Sequence, residues 1–203
     1  MRLKWTCRAL KQLAEAQNYI VEDNPEKGEK GDATLYGKLL NDGGGRRSLL
    51  PIGLGFAVRG ARVCVLGAGG AAAGVICALL EADVAEVSIR NRHAQRAQTL
   101  AARLDDPRVR IAASQPTAFD LLVNATSASL TNACPNFPES AAGPKTLAYD
   151  LVYAEGPTPF MHRAAERGAR VSDGWGMLVA QAAASFFLWH GIRPVTQSLC
   201  RQG

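Results

Sequence analysis

Several things are scarce in this sequence, and each scarcity removes a class of function. The three histidines, His93, His162 and His190, lie far apart, so no metal-ligand spacing is present. The five cysteines, Cys7, Cys64, Cys77, Cys134 and Cys200, form an odd set without a Cys-x-x-Cys pair. That argues against a disulfide framework and for reduced thiols in an intracellular protein, with Cys64 and Cys77 inside apolar runs. Charge of either sign is limited: 23 basic and 18 acidic residues leave a net charge of +5, with no long Lys/Arg block. This is too mild to imply a nucleic-acid partner, yet it suits an anionic small ligand. No stretch has the length and uniform apolarity of a membrane span, and the basic opening residues 1–10 lack the apolar core of a secretory signal. A cytoplasmic protein without membrane, nucleic-acid or metal partners is expected. With 47% hydrophobic residues, the 203-residue chain has apolar mass for one large domain, or one domain plus part of another.

What is present is organised around residues 63–72, Val-Cys-Val-Leu-Gly-Ala-Gly-Gly-Ala-Ala. A β-type run feeds a glycine turn of the form G-x-G-x-x-A, and a helix-like run over residues 71–81 follows. This is the dinucleotide-binding form of the glycine motif. Gly67 permits the tight turn, Gly69 lets a pyrophosphate approach the backbone, and Ala72 lets the helix sit close to the strand. The first N–H groups of the helix would face the phosphates. A tight structural turn without a ligand is the alternative reading.

From residue 61 onward, strands and helices alternate. Strands are predicted over residues 62–66, 84–89, 108–111, 119–123, 147–153 and 169–171. Helices are predicted over residues 71–81, 94–104, 159–167 and 175–190. The second helix presents Ala94, Ala97, Ala101 and Leu104 on one face. Thr158 and Pro159 read as N-cap and N1 of the third, with Gly168 past its end; Gly191 closes the fourth, which is almost wholly apolar. This rhythm means an α/β fold with a doubly wound parallel sheet. Residues 22–32 read as a charged loop and residues 41–45, Asn-Asp-Gly-Gly-Gly, as a second glycine-rich turn.

The predicted second strand ends in Ser-Ile-Arg-Asn-Arg-His, residues 88–93. A carboxylate here would bind the ribose 2′-hydroxyl of NAD and repel a 2′-phosphate. Instead Arg90, Asn91, Arg92 and Arg96 cluster, and guanidinium groups can grip a phosphate bidentately and stack on adenine. The pattern favours NADP over NAD. A solvated basic surface is the alternative, although cations at a helix start oppose its dipole.

Taken together, Gly67–Ala72, Asn91-Arg92, Asp120–Ser127, Tyr149–Tyr153 with Thr158-Pro159-Phe160, and Asp173–Ala182 resemble the shikimate dehydrogenase family. The resemblance covers about residues 61–194 and is weaker before that. It implies an N-terminal α/β domain for shikimate, a Rossmann domain for NADP, and reversible NADPH-dependent reduction of 3-dehydroshikimate to shikimate in aromatic amino-acid biosynthesis. It implies that Gly67, Ala68, Gly69, Gly70 and Ala71 hold the pyrophosphate and that Asn91, Arg92 and Arg96 hold the adenosine phosphate end. By the same resemblance Ala125, Thr126 and Ser127 line the cofactor channel, Leu151, Gly174 and Met177 flank the nicotinamide, and Tyr153 and Gln181 touch the substrate. Gln181 also stands out by itself, as a strongly polar side chain on an apolar helix, one turn from Met177. A bond from its amide to nearby backbone is the alternative.

The sequence departs from the family in places. His93 stands where Thr is usual, and Ser129-Leu130 replaces Gly-Met. Asp42 matches the family's catalytic aspartate imperfectly, and the lysine that would partner it is not identifiable. The expected organisation is a remnant of the substrate domain and linker over residues 1–45, the NADP-binding domain over 46–174, and a helical segment over 175–203. An NADP-binding module without turnover remains the alternative function. Phe186, Phe187 and Trp189 are expected to form an exposed patch that drives either self-association, as in a homo-oligomer, or aggregation.

Overall fold

The computed structural model describes residues 56–112, 118–192 and 194–196. Residues 1–45, with the expected loop, the second glycine-rich turn and Asp42, lie outside these. The described elements are β1 (Arg62–Leu66), α1 (Gly70–Glu81), β2 (Glu86–Arg90), α2 (Ala94–Leu104), β3 (Val109–Ile111), β4 (Leu121–Asn124), β5 (Leu147–Asp150), α3 (Pro159–Ala165), β6 (Arg170–Ser172) and α4 (Trp175–His190). Short 3-10 turns, which the sequence patterns did not announce, fall at Ala128–Thr131 and Glu139–Ala141.

All six strands are parallel, in the order β3-β2-β1-β4-β5-β6. Side chains on a strand alternate between faces, and here both faces are covered. Val63, Val65, Leu121, Val123, Leu147 and Tyr149 enter the cluster that holds α1 and Leu100 of α2. Cys64, Leu66, Leu122 and Ala148 enter the other, with Phe137, Phe160 and Ala164. The near-continuous apolarity of these strands follows from that arrangement. The register places Leu66 beside Arg90 and Asn124, and Asn124 beside Asp150, so the C-terminal strand ends form one rim. The chain reverses its direction of travel across the sheet between β1 and β4, which opens a crevice at that rim.

Where element bounds differ from the sequence patterns, local bonds explain it. Val84 is not in β2: its N–H caps α1 by donating to the Leu79 carbonyl, with Asp83 left-handed at φ 64. β5 stops at Asp150 rather than Tyr153, because the Asp150 carboxylate takes the Val152 N–H and turns the chain. Asp120 precedes β4, its carboxylate accepting the Arg62 N–H at 2.8 Å. On α2 the covered stripe is Ala97 and Leu100 with Ala101 and Leu104, whereas Ala94 is exposed. The Thr158 cap holds, accepting the Met161 N–H, but α3 ends at Ala165, two residues short of the predicted end. The last strand begins one residue later than its pattern suggested, at Arg170. Among the described residues no helix is long and apolar enough to cross a membrane.

Candidate functional site

The glycine turn joins β1 to α1 at the crevice, and its two key glycines answer different demands. Gly67 has φ +115, and its N–H donates to the Arg90 carbonyl at 2.8 Å. A Cβ on it would lie 2.8 Å from the Ala125 carbonyl oxygen, so the loop after β4 passes directly over it. Gly69 has ordinary extended backbone, φ −95 and ψ −169, and an added Cβ would meet nothing within 4 Å. Any side chain there would stand in open space, where a ligand would approach. The first bond inside α1 runs from the Ala73 N–H to the Gly69 carbonyl. The N–H groups of Gly70, Ala71 and Ala72 therefore have no intrahelical acceptor, and no side chain caps this end. Ala72 is fully buried, close against the sheet, while Gly70 and Ala71 are exposed at the helix start.

Beside this turn lies a cleft of about 960 Å³. Gly67, Ala68 and Gly69 form its floor, Asn91, Arg92 and Arg96 one wall, and Ala125, Thr126 and Ser127 the other. On the first wall the Asn91 side chain donates to the His93 carbonyl at 3.0 Å and fixes the bend between β2 and α2. Arg92 and Arg96 are exposed, α2 has no acidic residue in its first turn, and among the described residues neither arginine is in an ion pair. Cys134 is half-buried and also lines the cleft, whereas Cys64 is buried inside the sheet, where desolvation pushes its thiol up to about 12.

The second wall rests on a polar network that sequence reasoning quoted only as motif letters. Asn124 and Asp150, at the ends of β4 and β5, are both fully buried. Asn124 Oδ1 accepts from the Thr126 N–H at 3.0 Å and the Thr126 hydroxyl at 2.7 Å. Asn124 Nδ2 donates to Asp150 Oδ1 and to Ser129 Oγ, each at 3.0 Å. Asp150 Oδ2 accepts from Ser129 Oγ at 2.7 Å and Thr158 Oγ1 at 2.6 Å. The available signal was two polar residues closing otherwise apolar strands, since buried polar side chains require partners.

The residues assigned to the far end of the cofactor do not line this cleft. Leu151 and Gly174 do come together: a Cβ on Gly174 would collide with the Leu151 carbonyl oxygen. Leu151 and Met177 are half-buried against the same apolar cluster as Ala68 and Ala125. The buried Tyr149 phenol holds the Met177 N–H at the start of α4, and desolvation raises its pKa above the ordinary 10. Tyr153 sits edge-on to Trp175 at 6.0 Å. Gln181 is 5% exposed, and no hydrogen bond joins its carboxamide to another described residue. Phe186 and Phe187 are partly exposed, while the Trp189 side chain lies outside the described set.

Comparison with known proteins bears on this arrangement. Residues 53–133 match the model of the shikimate / quinate 5-dehydrogenase family, and residues 174–197 match the shikimate 5′-dehydrogenase C-terminal domain. The shikimate dehydrogenase (NADP(+)) of Dechloromonas aromatica is 44% identical over 188 residues, 90% of this chain and 65% of that protein. A crystal structure of an enzyme from Pseudomonas putida superposes with a TM-score of 0.70 at 44% identity, covering 74% of this chain and 57% of the other. Shikimate 5-dehydrogenase of Thermus thermophilus, solved with NADP(H) and shikimate, gives a TM-score of 0.61 at 31% identity, covering 82% and 58%. The chain thus spans between half and two thirds of the length of these relatives.

Proposed function

The chain belongs to the shikimate dehydrogenase family, and on that premise we propose that its described part binds NADP(H) for the reversible reduction of 3-dehydroshikimate to shikimate. The observation that carries the reading is the cleft itself. A glycine floor with open space at Gly69 meets a wall on which Arg92 and Arg96 stand exposed and without ion pairs among the described residues. The residues present fit the cofactor. The N–H groups at the start of α1 suit a pyrophosphate, and the two guanidinium groups suit a 2′-phosphate. Bound NADPH would supply the hydride. Around it, Ala125, Thr126 and Ser127 would close the channel, and Leu151, Gly174 and Met177 would shape the apolar nicotinamide end. Tyr153 and Gln181 would address the hydroxyl groups of the substrate, for which a carboxamide, both donor and acceptor, is suited.

Proton transfer to the reduced oxygen needs a positioned acid. The candidate, Asp42, lies outside the described residues. Among the described residues Lys145 is the sole lysine, exposed in the turn before β5 at the opposite end of the sheet from the cleft. The sequence holds no identifiable segment that would supply Asp42 with its partner lysine, which favours a second reading, an NADP-binding module without turnover. In either case the proposed organisation is a part related to the substrate-binding domain over residues 1–45, the NADP-binding domain over 46–174 and a helical segment over 175–203. We propose a cytoplasmic location, and a homo-oligomer formed through the partly exposed Phe186 and Phe187.

Fluorescence titration with NADPH and NADH, followed by absorbance decay with 3-dehydroshikimate, tests the proposal. Arg92→Ala should weaken NADPH by about 1.5–3 kcal/mol, the range for a hydrogen bond to a charged group, and leave NADH almost unchanged. Equal losses for both cofactors would remove the 2′-phosphate assignment. Binding with turnover reduced at least ~10³-fold, as expected when acid and orientation are both lost, selects the second reading. Turnover that disappears in Asp42→Asn selects the first.

A further inference from the structure

We propose that Ser129 latches residues 125–131 onto the buried Asp150 carboxylate, and that this latch sets the shape of the second wall of the cleft. That the wall faces a dinucleotide rests on the reading above; the latch itself does not.

The hydrogen bonds leave no freedom in the direction of the protons. The Ala128 N–H donates to Thr126 Oγ1, so the Thr126 hydroxyl donates onward to Asn124 Oδ1. That orients the Asn124 amide, whose Nδ2 must face Ser129 Oγ and Asp150 Oδ1. Ser129 Oγ accepts that bond, and its single proton goes to Asp150 Oδ2. Thr158 Oγ1 accepts the Met161 N–H and likewise donates to Oδ2. Asp150 thereby gathers donors from the loop after β4, from the Val152 N–H of its own turn, and from the start of α3.

Within that set Ser129 has a particular place. Its neighbours Ser127, Ala128 and Thr131 line the cleft, whereas Ser129 does not. It is half-buried, and it brings the 3-10 turn to Asp150. The loop is thus held at two points, at Thr126 by Asn124 and at Ser129 by Asp150, with the wall residues between and around them. A glycine at 129, which the family resemblance leads one to expect, could not make the second attachment. Ser129 is a positioning residue: it acts through Asp150 and has no ligand contact of its own.

The test compares Ser129→Ala, Ser129→Thr and Thr158→Val by three measurements. These are hydrogen exchange of the Thr126, Ala128 and Leu130 amides without cofactor, thermal unfolding, and NADPH titration. Ser129→Ala should speed exchange of those amides and weaken NADPH by about tenfold each, the scale of one charge-assisted bond, with a fall in melting temperature no larger than that of Thr158→Val. Ser129→Thr should restore both. Thr158→Val removes another donor to the same carboxylate oxygen, but at α3; it should lower the melting temperature and leave the loop amides and NADPH affinity near wild type. A Ser129→Ala loop that exchanges at the wild-type rate overturns the latch, as does a uniform loss like that of Thr158→Val. If the wild-type chain fails to bind NADPH while Ser129→Ala still speeds loop exchange, the latch stands and the dinucleotide reading falls.

Discussion

Gly67 and Gly69 sit two residues apart in one turn, yet replacing each by alanine should have opposite consequences. At Gly67 the backbone has φ +115, and a Cβ would lie 2.8 Å from the Ala125 carbonyl oxygen and 3.1 Å from its carbon. Both obstacles are backbone atoms of a loop that Asn124 holds, so neither can swing aside. The strained conformation costs about 1–3 kcal/mol, and overpacking adds a similar amount, for roughly 2–6 kcal/mol in all. A domain of this size loses about 2–4 °C per kcal/mol, so Gly67→Ala should lower the melting temperature by roughly 4–24 °C. At Gly69, φ −95 is open to any residue and an added Cβ meets nothing within 4 Å. Gly69→Ala should therefore hold its stability or gain up to about 1 kcal/mol by restricting the unfolded chain. Its cost should appear in cofactor binding, and more so in Gly69→Val, whose branched side chain fills the space above the α1 N–H groups. Losing one or two charge-assisted bonds there should weaken NADPH by about tenfold or more. Differential scanning calorimetry and NADPH titration on the same samples separate the two effects. If Gly69→Ala melts as low as Gly67→Ala, or Gly69→Val binds NADPH like wild type, the division of labour within the turn is wrong.

Three further outcomes are expected. Asn124→Asp would set a second buried carboxylate 3.0 Å from Asp150 Oδ1, destabilising the fold by roughly 3 kcal/mol or more; denaturant melts should show the deficit shrinking as pH falls and the new acid protonates. The side-chain and backbone hydrogen bonds from Arg108 lower the pKa of Asp106 to about 2 from 3.8. This raises stability above pH 4, and the gain is lost as pH falls towards 2; in acid melts Asp106→Asn should flatten that slope. The buried Tyr149 phenol has its pKa raised by desolvation, so its contribution holds below pH 10 and declines as pH rises beyond it. Tyr149→Phe should cost about 1–3 kcal/mol by orphaning the Met177 N–H and should lessen the alkaline loss seen in thermal melts.

The alternation of apolar strands and helices determined the α/β class and the doubly wound parallel sheet, because both periodicities are local properties of the chain. The glycine turn and the arginines at and after the end of β2 were legible for the same reason: the proposed phosphate site draws on one turn and one strand end within some thirty consecutive residues. Element ends were less legible. Whether Val84 caps a helix or opens a strand depends on a carbonyl five residues back, and whether β5 continues past Asp150 depends on what its carboxylate accepts. Of the network around Asp150 the sequence offered only the polar residues that close two apolar strands, not their partners. Its members Asn124, Ser129, Asp150 and Thr158 come from four places in the chain, and they meet because the parallel register sets Asn124 beside Asp150. The need for glycine at 67 is likewise settled by Ala125, fifty-eight positions away in sequence and 2.8 Å away from a Cβ there. Hydrophobic periodicity acts along the chain and declares itself in sequence, whereas a steric limit or a buried hydrogen bond exists only between residues that the fold brings together.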